Sequence, residues 1–124
     1  MACLVQSNFM TNTDMVLKNM IENESGLADS LGIKTLAGKE ALKVAIANIQ
    51  LLDHKHQDYG SKNISNQGVL GVYIRMDDKF SRLTNLLGKK RKRAMNKSIR
   101  DTLQDISNYA VIALLVDSGK WPKE

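Results

Sequence analysis

Apolar residues recur along this chain at intervals of three and four, the period of helices that bury one face. Leu42, Ala45, Ile46, Ile49 and Leu52 predict one buried stripe, on a helix from about 35–38 to His56. Met76, Phe80, Leu83 and Leu87 predict a second stripe, on a helix that begins around 69–72. Gly88 should stop it in the left-handed conformation. Ile99, Leu103, Ile106, Ala110, Ala113 and Leu114 predict a third, capped by Asn96 or Ser98 and closed by Asp117-Ser118-Gly119. From Ala110 to Val116 this last helix is apolar on most sides. A helix of that kind sits centrally or in a subunit interface, so a homo-oligomer is expected.

Two stretches complete the pattern. Thr11 to Asp14 supplies capping residues before Met15, Val16, Leu17, Met20 and Ile21, predicting a helix to about Glu24 that Ser25-Gly26 ends. Leu27 to Leu36 reads as a connector, and Ser61 to Gly68 as a polar loop. With eight glycines and one proline, turn residues are too few for an all-β chain. The expected fold class is all-α, a bundle of about four main helices without a sheet. It should form a single domain over 1–124, with an N-terminal helical extension over 1–35 and a core over 36–117.

Composition narrows the setting. A chain of 124 residues, 43% hydrophobic, is one ordinary globular domain. The single cysteine, Cys3, excludes an internal disulfide framework and fits a reducing compartment. No apolar run reaches the length of a membrane span, and Met1 to Met10 lacks the basic flank of a signal peptide. The expected location is the cytoplasm, that of the host if a phage encodes the chain, with no membrane partner.

Charge is local rather than general. The net charge is +5, but Lys89, Lys90, Arg91, Lys92, Arg93, Lys97 and Arg100 fall within 88–100, where no acid occurs. The remainder holds 11 basic and 13 acidic residues, a net −2. One basic cluster on a near-neutral body points to an anionic partner at one place. By composition, Lys89 to Arg93 also resembles a nucleic-acid patch, although few aromatics stand by for base stacking.

Three groups of side chains could carry chemistry. Asp101, Asp105 and Asn108 share one helix face, where oxygen ligands could hold Mg2+ or simply meet solvent. Arg75, Asp78, Lys79 and Arg82 recur at i, i+3, i+4 and i+7, either as a salt-bridged surface or as a wall offering cations to phosphate. Lys55-His56-Gln57-Asp58-Tyr59-Gly60 closes a helix with a polar cluster and one aromatic. His54 and His56 are two apart, do not share a helix face, and make no zinc site alone.

Taken together, Lys55 to Gly60, Arg75 to Leu83 and Asp101 to Ala110 resemble the phage and bacterial nucleotide-modification-associated domain. That all-helical family is similar to the MazG-type NTP pyrophosphohydrolases. Its pattern runs K-x-x-D-Y-G, then R-x-x-D-K-x-x-R-L, then D-E-S-x-x-D-T-L-x-D-x-x-N-Y, and the likeness covers about 40–116. The resemblance implies a nucleotide-phosphate site between helices. Lys55, Asp58 and Tyr59 would form one edge, and Arg75, Asp78, Lys79 and Arg82 a wall facing Asp101, Asp105 and Asn108. In the related pyrophosphohydrolases acidic residues hold Mg2+ on the phosphates, which here implies Asp78, Asp101 and Asp105.

The chain departs from that pattern at Asn96-Lys97, where the family has Asp-Glu, and at Arg100, where an acid is common. Such swaps remove carboxylates a metal would use and add donors to phosphate, so Lys97 and Arg100 join the ligand-binding candidates. The expected function is therefore a phage-type nucleotide-binding protein that holds a phosphorylated nucleotide, as a sponge for a host immune signal. The alternatives are a Mg2+-dependent nucleotide pyrophosphohydrolase and, third, nucleic-acid binding through 89–93.

Overall fold

Glycines in the left-handed conformation mark two of the helix ends that position the site. The computed structural model describes residues 24–88 and 93–122, all helices and connections, with no strand among them. The elements are α1 (Glu24–Ser30), α2 (Leu36–Tyr59), α3 (Lys62–Ser65), α4 (Gly68–Leu87) and α5 (Arg93–Asp117). The predicted helix from Thr11, together with Cys3 and Lys89 to Lys92, lies outside the described residues. No described helix is long and apolar enough to cross a membrane.

Contacts divide the chain into two compact units, 1–46 and 47–124. In the first, α1 runs through Ser25-Gly26 instead of ending there. A helix interior tolerates glycine at a cost of about 1 kcal/mol, whereas the stop requires positive φ. Gly32 supplies it, at φ 74°. The amide of Ile33 donates to the Ala28 carbonyl at 2.9 Å, and that of Gly32 to Asp29 at 3.0 Å.

In the second unit α2 stops at Gly60, whose φ is 69° and whose amide donates to the His56 carbonyl at 2.8 Å. The predicted polar loop contains the short α3 and turns into α4 through Gly68, at φ 61°. Gly88 does not take the left-handed stop expected of it. Its φ is −76°, and its amide continues the helical pattern to Thr84. Glycine permits positive φ but does not require it. α5 starts at Arg93, ahead of the expected caps, because Arg, Ala and Met are good helix formers. It closes as predicted: Gly119 lies at φ 72°, with Lys120 N–H donating to Leu115 at 2.8 Å and Gly119 N–H to Val116 at 3.1 Å.

α4 packs chiefly on α5. Their core is Val72, Ile112 and Trp121, with Leu52, Ile64, Met76, Tyr109, Ala113, Leu115 and Val116 packed around it. The predicted stripes are met in part: Leu52, Met76 and Ala113 pack here and Ile99 is buried, whereas other members are not. Leu103 is 49% exposed and Leu114 70%, while Ile112 is 8% exposed. Ile112 stands nine positions after Leu103, which at 3.6 residues per turn is the opposite side of the helix. The inward arc of α5 takes in Thr102, Asp105, Asn108 and Tyr109 instead of Leu103, Ala110 and Leu114. On α4, Val72 and Met76 face the core while Phe80 and Leu87 are about half exposed. The α2 stripe is not buried either: Ile49 is exposed, and Leu52 alone of its members joins this core.

Candidate functional site

The inward turn of α5 brings polar side chains into the second unit, and each has a partner. Asn108, nearly buried, donates from Nδ2 to the Asn48 carbonyl at 3.0 Å. The Asn48 amide nitrogen in turn donates to Ser107 Oγ at 3.3 Å. Thr102 Oγ1 donates to the Ser98 carbonyl at 2.7 Å. One turn before Asn108, Asp105 accepts two ammonium groups. Lys55 Nζ, from the end of α2, lies 2.9 Å from Oδ1, and Lys79 Nζ, from α4, lies 2.9 Å from Oδ2. Burial pushes the Asp105 carboxyl up, but hydrogen bonds from Lys79 and Lys55 and their charges outweigh it. The result is a carboxyl held below its ordinary range.

Beside this triad opens a cleft of about 330 Å³. Lys55, Arg75, Asp105 and Asn108 provide its charged and amide lining. His56, Tyr59, Tyr109 and Trp121 provide rings, with Leu52, Ile64 and Ile112 between. Arg75 is fixed by Asn63, donating from Nη2 to both its carbonyl and Oδ1 at 2.9 Å. No other acceptor takes a guanidinium N–H of Arg75 among the described residues. Tyr59, 76% exposed, stands at the rim.

Trp121 forms part of the cleft and of the core at once. The Gly119 turn carries it back from α5, and its indole N–H donates to the Ser61 carbonyl at 3.1 Å. The His56 ring meets it edge to face, with centroids 5.1 Å apart. His56 Nδ1 is buried and has no hydrogen-bond partner among the described residues. Trp121, His56 and Tyr109 were missed as site residues by the sequence reading. A signal for Trp121 existed, since an apolar residue just past a glycine stop commonly packs back on its helix.

Of the residues proposed from sequence, Lys55, Tyr59, Arg75, Lys79, Asp105 and Asn108 come together at or beside the cleft. Asp58 faces outward and lies 3.9 Å from His54 Nε2. Asp78, Arg82, Lys97, Arg100 and Asp101 are exposed and do not line the cleft. The expected grouping of Asp78, Asp101 and Asp105 around Mg2+ is not formed. No group of three His, Cys, Asp or Glu side chains that could hold a metal occurs among the described residues. Both oxygens of Asp105 already face ammonium groups.

Residues 55–116, half of the chain, match the family described as nucleotide modification associated domain 1. The chain belongs to that family. No curated protein and no solved structure matches it at a significant level. The nucleotide modification associated domain thus contains the Lys55–Asp105–Lys79 triad, Arg75 and Asn108. Trp121 lies beyond the matched residues. The cleft is therefore completed by a segment that the family pattern does not cover.

Proposed function

We propose that the second unit binds a phosphorylated nucleotide in this cleft and holds it without turning it over. One observation carries the reading: a single cleft joins a wall of rings to a group of cations. Rings offer stacking surface to a base, and Arg and Lys offer charge-assisted hydrogen bonds to phosphate. A volume of about 330 Å³ is at the small end of ligand sites and suits one nucleotide unit. Membership of a nucleotide-modification-associated family supports the same ligand class. The biological form of the proposal is sequestration of a host immune signalling nucleotide.

Metal-assisted hydrolysis needs a cation on the phosphates and a water it activates. The donor set does not fit that chemistry, because Asp105 is engaged by two lysines while Asp78 and Asp101 are exposed. Native mass spectrometry of protein taken from infected cells, before and after heat release, tests the proposal. An intact nucleotide released on heating is the expected result. Chromatographic product formation from NTPs with Mg2+, lost in Asp105→Ala, would replace sequestration by a pyrophosphohydrolase. DNA binding with a steep salt slope, unchanged in Arg75→Ala, would favour the nucleic-acid reading instead.

A further inference from the structure

Asn108 has one amide atom left over. Its Nδ2 donates to the Asn48 carbonyl at 3.0 Å. A carbonyl oxygen only accepts, so this contact fixes which end of the amide is nitrogen. Oδ1 is the other end, and no described residue donates to it. Asn108 is only 7% exposed. Among the described residues, the one fully covered side-chain nitrogen or oxygen without a partner is His56 Nδ1. Oδ1 of Asn108 therefore keeps open surface, and the opening that Asn108 lines is the cleft. A nearly buried amide thus presents a lone acceptor to whatever enters.

Position decides which part of a nucleotide meets that acceptor. Asp105, Asn108, Tyr109 and Ile112 line the cleft from α5. Asp105 marks the cationic end, since Lys55 Nζ lies 2.9 Å from its Oδ1. Asn108 is three positions on, the neighbouring side chain of the same helix face, roughly 5–6 Å away between Cβ atoms. An amide oxygen repels a phosphate oxygen and pairs with an O–H or N–H. In a nucleotide the sugar is the group next to the phosphate, and its hydroxyls are donors. The base stands one group further off, where the rings of the cleft offer stacking surface.

We infer that Asn108 reads the sugar: its Oδ1 accepts a ribose hydroxyl of a nucleotide whose phosphate lies at Lys55 and Arg75. The inference rests on the nucleotide reading above and adds a specificity-determining residue to it. Because the Asn48 carbonyl already holds Nδ2, the acceptor is set before a ligand arrives, and little side-chain freedom is lost on binding. A sugar that lacks the hydroxyl covers a nearly buried acceptor without meeting it, which costs more than losing an exposed bond.

Calorimetric titration of the full chain in EDTA tests it. The probes are the 5′-mono- and 5′-triphosphates of the four common ribonucleosides, with their 2′-deoxy, 3′-deoxy and 2′,3′-dideoxy forms. For the nucleotide that binds best, the dideoxy form should bind roughly tenfold more weakly, with most of the loss in one of the two singly deoxy forms. In Asn108→Ala the ribo and dideoxy forms should bind alike. Asn108→Ser removes the same amide oxygen and gives the same readout where the alanine chain does not fold. A dideoxy form that binds the unsubstituted chain as tightly as the ribo form overturns the sugar inference and leaves nucleotide binding standing. A ribo preference that survives in a folded Asn108 variant does the same. Absence of binding by every probe overturns both.

Discussion

Lys55 and Asp105 stand fifty positions apart in the chain and 2.9 Å apart in the fold. Lys79 takes the other carboxylate oxygen at the same distance, so one side chain of α5 holds the end of α2 and the middle of α4. With Asp105 19% exposed but Lys55 49% and Lys79 31%, solvent screens the pair in part. Its worth is then about 1 kcal/mol, nearer a surface pair than a buried one.

That link should be visible in acid. The Asp105 carboxyl titrates below its ordinary value in the folded chain, so the folded state binds its proton less readily than the unfolded one. The resulting stability is present above the unfolded carboxylate range and is lost as pH falls through the lowered folded value. Asp105→Asn should remove this part of the acid-side decline. Urea unfolding followed by circular dichroism between pH 3 and pH 7 checks it (a pH range set by the ordinary carboxylate value of about 3.9). An identical pH slope in the variant would refute the assignment.

The turn of α5 sets a second expectation. Ile112→Ala should cost about 2–5 kcal/mol, since its side chain belongs to the core. Leu103→Ala should cost well under that, about 1 kcal/mol or less, because Leu103 is half exposed. Equal losses in urea midpoint would mean that the inward arc of α5 is the other one.

What was legible in the sequence follows from this helix. The helix ends at Gly60 and Gly119 were readable, since only glycine takes positive φ cheaply, but the left-handed stop was expected at Gly88, which does not take it. The three long helices, α2, α4 and α5, were readable from their period, while α1 and α3 fell in stretches read as connector and loop. Which face of α5 turns inward was legible only in part: Ile99 and Ala113 do face in, but hydrophobicity also favoured Leu103 and Leu114 where the fold chose Thr102, Asp105 and Asn108. Asp105 and Asn108 enter because Lys55, Lys79 and the Asn48 carbonyl await them, and partners so far along the chain leave no mark in local spacing. Of the expected wall, Arg75 lines the cleft and Lys79 pairs with Asp105 beside it. Arg82, seven positions after Arg75, is exposed and outside the cleft.

Asn108 is a direct check on that inward polar arc. Its Nδ2 donates to a backbone carbonyl from a nearly buried position. Asn108→Ala leaves the Asn48 carbonyl without that donor and should cost about 1–3 kcal/mol. Asn108→Asp should cost more at pH 7, because a carboxylate cannot donate and would face the carbonyl oxygen one turn from Asp105. Lowering the pH toward the carboxylate range should narrow the gap between the two variants. A gap that stays constant with pH would show that charge is not the cause.

Trp121 joins stability to the cleft, and two substitutions separate its contributions. Its indole is 8% exposed, packs with Val72 and Ile112, and meets the His56 ring edge to face. Removing the whole ring in Trp121→Ala should cost about 3–5 kcal/mol, a large share of the stability of a small domain. Trp121→Phe keeps a ring against His56 but loses the N–H donated to the Ser61 carbonyl. That bond and the smaller ring together should cost about 1–3 kcal/mol, so the variant stays folded at room temperature. Folded Trp121→Phe should still bind phosphate at Lys55 and Arg75, since those side chains come from other elements. Its affinity for a nucleotide over inorganic phosphate should fall, because the wall that faces the base is smaller. Far-UV circular dichroism under urea measures the first effect, and competition between nucleotide and phosphate measures the second. A Trp121→Phe chain with unchanged preference for the nucleotide would place the base elsewhere, away from the segment that closes this cleft.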